Sequence, residues 1–180
     1  MSKIFFSSDH HFFHHNIIEY CDRPFGDINT MKNNIINNHN KMVGKNDIIY
    51  VLGDIGIINK AKFFKLKPLL DRMNGRKHLI LGNHDESKPF NYIKIGFTSV
   101  HTTMWFEYGN HTFYMNHDPA VYTTNMYNPK DILLCGHVHK LFDHLLPKKN
   151  VINVGVDVWN FAPISLDRII KLLGEYKLWH

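Results

Sequence analysis

Residues 48–54 read Ile48-Ile49-Tyr50-Val51-Leu52-Gly53-Asp54: five apolar or aromatic residues, then a glycine, then a carboxylate. A run this short, rich in β-branched and aromatic side chains, predicts a strand. The carboxyl ends of neighbouring strands share one crevice in α/β proteins, so a polar residue placed there is placed where sites are built. The glycine before it has no Cβ and lets the backbone turn sharply and approach a ligand.

The same pattern recurs four more times. Ile4-Phe5-Phe6-Ser7-Ser8 runs into Asp9-His10-His11, and Leu79-Ile80-Leu81-Gly82 runs into Asn83-His84-Asp85. Phe113-Tyr114-Met115-Asn116 runs into His117-Asp118, and Ile132-Leu133-Leu134-Cys135-Gly136 runs into His137-Val138-His139. Each has an ordinary reading when taken alone, because a Gly-Asp after a strand is a turn and a single histidine is a satisfied surface or core residue. Five such endings together point to metal chemistry. Histidine is over-used, with 14 residues in 180, and it is spread along the chain rather than gathered in a terminal tag. A donor set of Asp, Asn and His without cysteine suits Mn²⁺, Fe or Zn²⁺, with Ni²⁺ also admissible, better than a thiolate structural zinc site. One carboxylate between two ions can hold them ~3.5–4 Å apart, the spacing of two-metal hydrolysis.

The bulk properties agree with a soluble enzyme. The length fits a single domain over 1–180, and 44% hydrophobic with 21% charged residues excludes wholesale disorder. Cys21 and Cys135 are far apart, which argues against a disulfide framework and for a reducing, cytoplasmic setting. No stretch approaches the ~18 apolar residues of a membrane span, so no membrane association is expected. The net charge of +5 favours anionic ligands mildly. Lys60, Lys62, Lys65 and Lys67 are the densest basic group and read as a solvated helix face.

Helical spacing of Ile35, Ile36, Met42 and Val43 predicts a helix within 29–46, with others over 60–73 and about 166–173. Strands are expected at 3–7, 47–52, 77–81, 98–102, 104–108, 111–115, 131–135 and 151–156, with a hairpin turn at Gly109-Asn110. Strand–helix alternation in the first half and successive strands in the second predict sheets packed together with helices outside.

With those motifs in view, Asp9-x-His11, Gly53-Asp54, Gly82-Asn83-His84-Asp85, His117 and Gly136-His137-x-His139 together resemble the signature of the calcineurin-like metallophosphoesterases, in that family's order. The opening Ser8-Asp9-His10-His11-Phe12-Phe13-His14-His15-Asn16 and the tail Asn153-Val154-Gly155-Val156-Asp157-Val158-Trp159-Asn160 are similar to its small, single-domain bacterial and phage branch. The resemblance implies an α/β fold, a two-sheet β-sandwich flanked by helices in four layers. It implies a first divalent ion on Asp9, His11 and His139, and a second on Asn83, His117 and His137, with Asp54 bridging. It implies that His84 binds neither ion and meets the leaving group.

The reaction implied is hydrolysis of a phosphate ester by a hydroxide bridging the two ions, with a phosphodiester of a small or nucleotide substrate favoured and Mn²⁺ the first choice of metal. Two alternatives remain: a nuclease using the same site, for which the sequence displays no continuous basic track, and a non-catalytic scaffold like the related retromer subunit. The Asp-Arg-Gly of the Ser/Thr protein phosphatases is missing after Gly53-Asp54, where Ile55-Gly56-Ile57-Ile58 follows, and this disfavours protein phosphatase activity.

Several neighbouring residues stay open. Asp85 is either a partner of the ligands or the cap of the next segment. His14 either touches substrate or ligand, or is a polar residue at a helix start. Arg23 is either a phosphate clamp or a surface arginine. His10 and His15 read as structural, and Trp159 as core or rim packing.

Overall fold

The computed structural model describes residues 2–58, 60–85, 88–123, 128, 130–141 and 150–177. Its first sheet has the order β4-β3-β2-β1-β9, built from β1 (Ile4–Ser7), β2 (Ile48–Leu52), β3 (Arg76–Ile80), β4 (Ser99–His101) and β9 (Ile164–Ser165). β1 to β4 are parallel and β9 is antiparallel to β1. The second sheet has the order β5-β6-β7-β8, from β5 (Met104–Tyr108), β6 (His111–Met115), β7 (Ile132–Cys135) and β8 (Val151–Asn153). Its hairpin turns at Gly109-Asn110, where Gly109 has φ 58°.

β1 and β2 are nearly continuous in hydrophobicity because both of their faces are covered. Phe5, Ile49 and Val51 face outward into a core shared with Met31, Ile35 and Ile36 of helix α2 (Ile28–Met42) and Leu69 and Leu70 of α3 (Lys67–Arg72). Phe6, Tyr50 and Leu52 face the other way and meet Phe113, Met115, Ile132 and Leu134 of the second sheet. α5 (Leu166–Lys177) adds Leu166, Ile169 and Leu172 to that inter-sheet core. The far side of the second sheet packs Leu133, Cys135 and Val151 under Val121 of the 3₁₀ turn Pro119–Thr123. The chain is therefore an α/β two-sheet sandwich flanked by helices, with the strand ends of both sheets aimed at one edge.

Local chemistry explains where the elements begin and stop. Asp27 caps α2, its Oδ1 accepting from Asn29 N at 2.7 Å and Thr30 N at 3.0 Å. The 60–73 helix is a 3₁₀ segment, Lys60–Leu66, that becomes α-helical only where Pro68 sits in the first turn of α3. Two short helices, α1 (Ile17–Tyr20) and α4 (Pro89–Lys94), and the two-residue β9 have no counterpart in the sequence reading. Each is too short to show a period. The 151–156 run ends as a strand at Asn153, because Gly155 and Val156 turn back to bond Ser8.

His39, on the buried face of α2, bonds the carbonyl of Asn74 through Nε2 at 2.9 Å, while its Nδ1 is buried without a partner. Burial lowers its pKa to about 4. A histidine depressed in this way stays neutral in the folded chain while the unfolded chain takes up a proton below pH ~6.5, so stability is lost as pH falls from 6.5 toward 4. At pH 5 that loss is about 2 kcal/mol. Urea unfolding of His39→Leu at pH 7 and pH 5 should show a smaller acid loss than the parent by about that amount. An identical loss in both proteins would remove His39 as the cause.

Candidate metal centre

Five loops, those after β1, β2, β3, β6 and β7, carry the predicted site residues to one edge of the sandwich. The loop after β1 lies beside the loop after β2: Asp9 N donates to Gly53 O at 3.1 Å, and His11 N to Asp54 O at 3.0 Å. The loop after β3 reaches them through His84 N, which donates to Asp54 Oδ1 at 3.0 Å. The loop after β7 arrives with His137 N, which donates to the Asp9 carboxylate at 3.1 Å.

The backbone at these points is under strain that nothing in the core requires. Asp9, His11, Asp54, His137 and His139 all have φ between 46° and 71°. Left-handed conformation costs a side chain-bearing residue ~1–2 kcal/mol, and clusters of such residues mark functional sites. The turn at Gly53 is possible only without a side chain: its φ is 85°, and a Cβ there would lie 2.6 Å from the Cα of Gly82. The two glycines touch, and that contact brings the Asp54 and Asn83 loops together.

The side chains converge in two groups. Ligand atoms of Asp9, His11 and His139 all lie within 4.8 Å of one another, and so do those of Asp9, Asp54 and His117. Asn83 Oδ1 sits 2.9 Å from His117 Nε2 and 3.0 Å from His137 Nδ1, joining both histidines to the second group. Asp54 stands between the groups. Its Oδ2 is 3.6 Å from His11 Nε2 and 3.5 Å from His117 Nε2. Its other oxygen is held by the His84 N–H, so a single oxygen faces both groups, rather than one oxygen facing each.

Two observations test whether a cation fits here. His11 Nε2 is buried and has no hydrogen-bond partner. His117 Nδ1 lies 2.7 Å from the carbonyl of Leu52, which accepts but cannot donate, so the proton belongs on Nδ1 and the lone pair on Nε2. That lone pair then faces Asn83 Oδ1 and Asp54 Oδ2, both acceptors. A cation among these atoms satisfies every one of them, and the donor set is of the kind that binds divalent ions.

The supporting residues were less visible in the sequence. Arg23 is neither a surface residue nor a phosphate clamp. It is buried, its Nε and Nη2 donate to the two oxygens of Asp157 at 2.8 Å each, and Nη2 also donates to Asp9 O at 2.8 Å. Asp157 Oδ2 in turn accepts from His139 Nδ1 at 2.8 Å. Burial works against charge on His139, but the bond to Asp157, with help from Cys21 and Asp9, raises its pKa to about 10. That proton must leave before Nε2 can bind a metal, so metal uptake releases protons.

Asp157 was missed as a functional residue. Its signal was that a ligating histidine needs an acceptor for its second nitrogen. Asp85 is the partner of a ligand loop: Oδ2 accepts from Asp54 N and Gly82 N at 2.9 Å each, and burial pushes its carboxyl up to about 6. His14 lies with its Nδ1 3.3 Å from His11 Nδ1, where it orients that ring. His10 is buried against Ser7 and Phe12, as a structural residue should be. Trp159 packs on the inter-sheet core and donates to Asn153 O. His84 is exposed, with its ring centroid 5.7 Å from that of His11.

The calcineurin-like phosphoesterase superfamily domain matches residues 3–161 of the sequence. The chain belongs to that superfamily. The chain is 38% identical over 184 residues to an uncharacterized protein of Methanocaldococcus jannaschii, covering 99% of this chain and 95% of that one. It is 30% identical over 201 residues to the gene 66 protein of Mycobacterium phage D29, covering 97% and 98%. A crystal structure of a protein of unknown function from Aquifex aeolicus superposes with a TM-score of 0.74 at 26% identity, over 96% of this chain and 100% of that one. The family depends on divalent metal, and membership supports hydrolase activity for this chain. Among the described residues no helix is long and apolar enough to cross a membrane.

Proposed function

We propose that the chain, acting as a single domain, hydrolyses phosphodiesters of small or nucleotide substrates with two divalent ions, Mn²⁺ foremost. The observation that carries this reading is Asp54 Oδ2, shared between His11 and His117 at 3.6 and 3.5 Å. Asp9, His11 and His139 would hold one ion, Asn83, His117 and His137 the other, and Asp54 both. Two such ions supply an activated water as nucleophile and neutralise the phosphoryl oxygens.

The protein's own residues do the remaining work. Asp157 and Leu52 O hold Nδ1 of His139 and His117, so that Nε2 of each is the atom turned to the site, with its lone pair free in His139 once the Nε2 proton has left. Asp85 fastens the backbone on either side of the Gly53–Gly82 contact. His84 is tied by its N–H to the central carboxylate but keeps its ring exposed, where it can donate a proton to the departing ester oxygen. A cytoplasmic setting is part of the proposal.

Diesters are favoured over monoesters because the segment between Asp9 and Asp54 is taken up by α1, α2 and β2, and α2 is buried against the outer face of the first sheet. That segment has no room for an inserted cap domain over the metals, so both arms of a diester can extend from them. A monoester dianion gains ground-state binding from two cations, which does not by itself raise turnover. The test compares kcat/KM for bis(4-nitrophenyl) phosphate and 4-nitrophenyl phosphate in Mn²⁺ at one pH. The diester should be preferred; a clear monoester preference would make the protein a general phosphatase.

A further inference from the structure

A cavity of about 300 Å³ lies beside the metal site, lined by Phe13, His15, Ile57, Ile58, Lys62 and Lys65. The proposed hydrolysis uses none of these residues. We infer that this cavity binds one nucleotide arm of the substrate, with the base against Phe13, Ile57 and Ile58 and a neighbouring phosphate at Lys62 and Lys65. The inference rests on the diesterase reading and deepens it by naming the substrate class as nucleotidyl diesters.

Two loops that run side by side link the cavity lining to the site. Phe12 N donates to Ile55 O and Ile57 N to Phe12 O, each at 3.0 Å. The ligand ends of these loops are His11 and Asp54, and their cavity ends are Phe13 and Ile57–Ile58. Two or three residues of chain span at most ~7–11 Å, within reach of one nucleotide unit. The lining has the two faces that a nucleotide needs. Phe13, Ile57 and Ile58 are half-buried apolar groups, and the exposed Lys62 and Lys65 supply positive charge at the rim. Base-on-aromatic stacking is worth ~1–3 kcal/mol and tolerates any base.

Phe13 itself is held at φ 67°, an unfavourable conformation for an aromatic residue, with one side packed against the outer core and the side chain only half-buried. The volume is at the small end of ligand pockets, suited to one nucleoside rather than a strand. The lysines that read in the sequence as a solvated helix face thus gather beside the chemistry. His15, read as structural, lines the same wall.

The test uses the full chain and the charge-reversed variant Lys62→Glu/Lys65→Glu, whose substitutions lie on exposed positions. Two substrates are compared in Mn²⁺: a 5′-phosphorylated dinucleotide, which reaches the cavity, and bis(4-nitrophenyl) phosphate, which lacks the second phosphate. The ratio of their kcat/KM values should fall tenfold or more in the variant, through KM. Binding of the dinucleotide to chelator-treated protein, followed by fluorescence, should weaken by a similar factor. A ratio and an affinity unchanged within threefold would overturn the inference while leaving the diesterase reading intact. Loss of dinucleotide affinity in the variant, in a protein that cuts no diester at all, would instead support the cavity and sink the diesterase.

Discussion

Asp54→Ala should lose both metal ions and essentially all turnover, whereas His84→Ala should keep near-parental metal content and lose turnover by roughly 10²–10⁴. The two side chains sit a few ångströms apart, yet the geometry divides their roles. Asp54 is buried, and its Oδ2 faces His11 and His117 at once. Removing it takes away the oxygen that faces both histidine nitrogens and leaves Asp9 as the carboxylate of the cluster. His84 contributes only its backbone N–H to the cluster, a bond that alanine keeps, and its imidazole is exposed. Elemental analysis of both purified variants, paired with hydrolysis of one diester, separates the assignments. If His84→Ala sheds its metals while Asp54→Ala retains both, the roles are reversed.

Arg23→Ala should cause the largest loss of stability of any single charged residue outside the ligands. The guanidinium is buried and spends five contacts: two on Asp157, one each on the carbonyls of Asp9 and His10, and one on Met31 Sδ. Its removal leaves the Asp157 carboxylate buried with only His139 as a side-chain hydrogen-bond partner among the described residues. Breaking a buried ion pair from one side costs ~3–5 kcal/mol, a large share of a typical ~5–15 kcal/mol total. For a chain of this size that predicts a fall in Tm of roughly 6–20 °C by calorimetry. Arg23→Lys should not rescue it, because an ammonium cannot span both carboxylate oxygens and the Asp9 carbonyl. Metal affinity should fall as well, by ~10–100-fold, because Asp157 orients His139. A Tm within 2 °C of the parent would show that the arginine is dispensable.

The pattern of what was legible reflects distance along the chain. Each ligand motif is local: an apolar run, a small residue and a metal-binding side chain within seven positions. Strand ends are forced together by the parallel sheet, so Asp9, Asp54 and Asn83 had to meet once β1, β2 and β3 paired. The features that escaped are those that join remote segments. Arg23 and Asp157 are 134 positions apart, and no local pattern announces an ion pair across that gap. Asp85 was ambiguous for the opposite reason: a cap for the next segment and a clamp on the Asp54 loop look the same in sequence, and only the contact of Gly53 with Gly82 decides for the clamp. α4 was invisible because six residues after Lys88 are too few to show a hydrophobic period. Lys62 and Lys65 are exposed on the Lys60–Leu66 segment, as a solvated helix face should be, and their place beside Phe13 and His15 in a cavity lining follows only from the pairing of two loops.

On the proposed mechanism, phosphate-ester hydrolysis here depends on two divalent ions held by Asp9, His11, Asp54, Asn83, His117, His137 and His139. The most direct measurement strips the protein with chelator, confirms the loss by elemental analysis, and titrates Mn²⁺ back while following hydrolysis of bis(4-nitrophenyl) phosphate. The stripped protein should show no turnover, and recovery should saturate at two ions per chain. Full turnover in protein shown to be free of metal would contradict that mechanism.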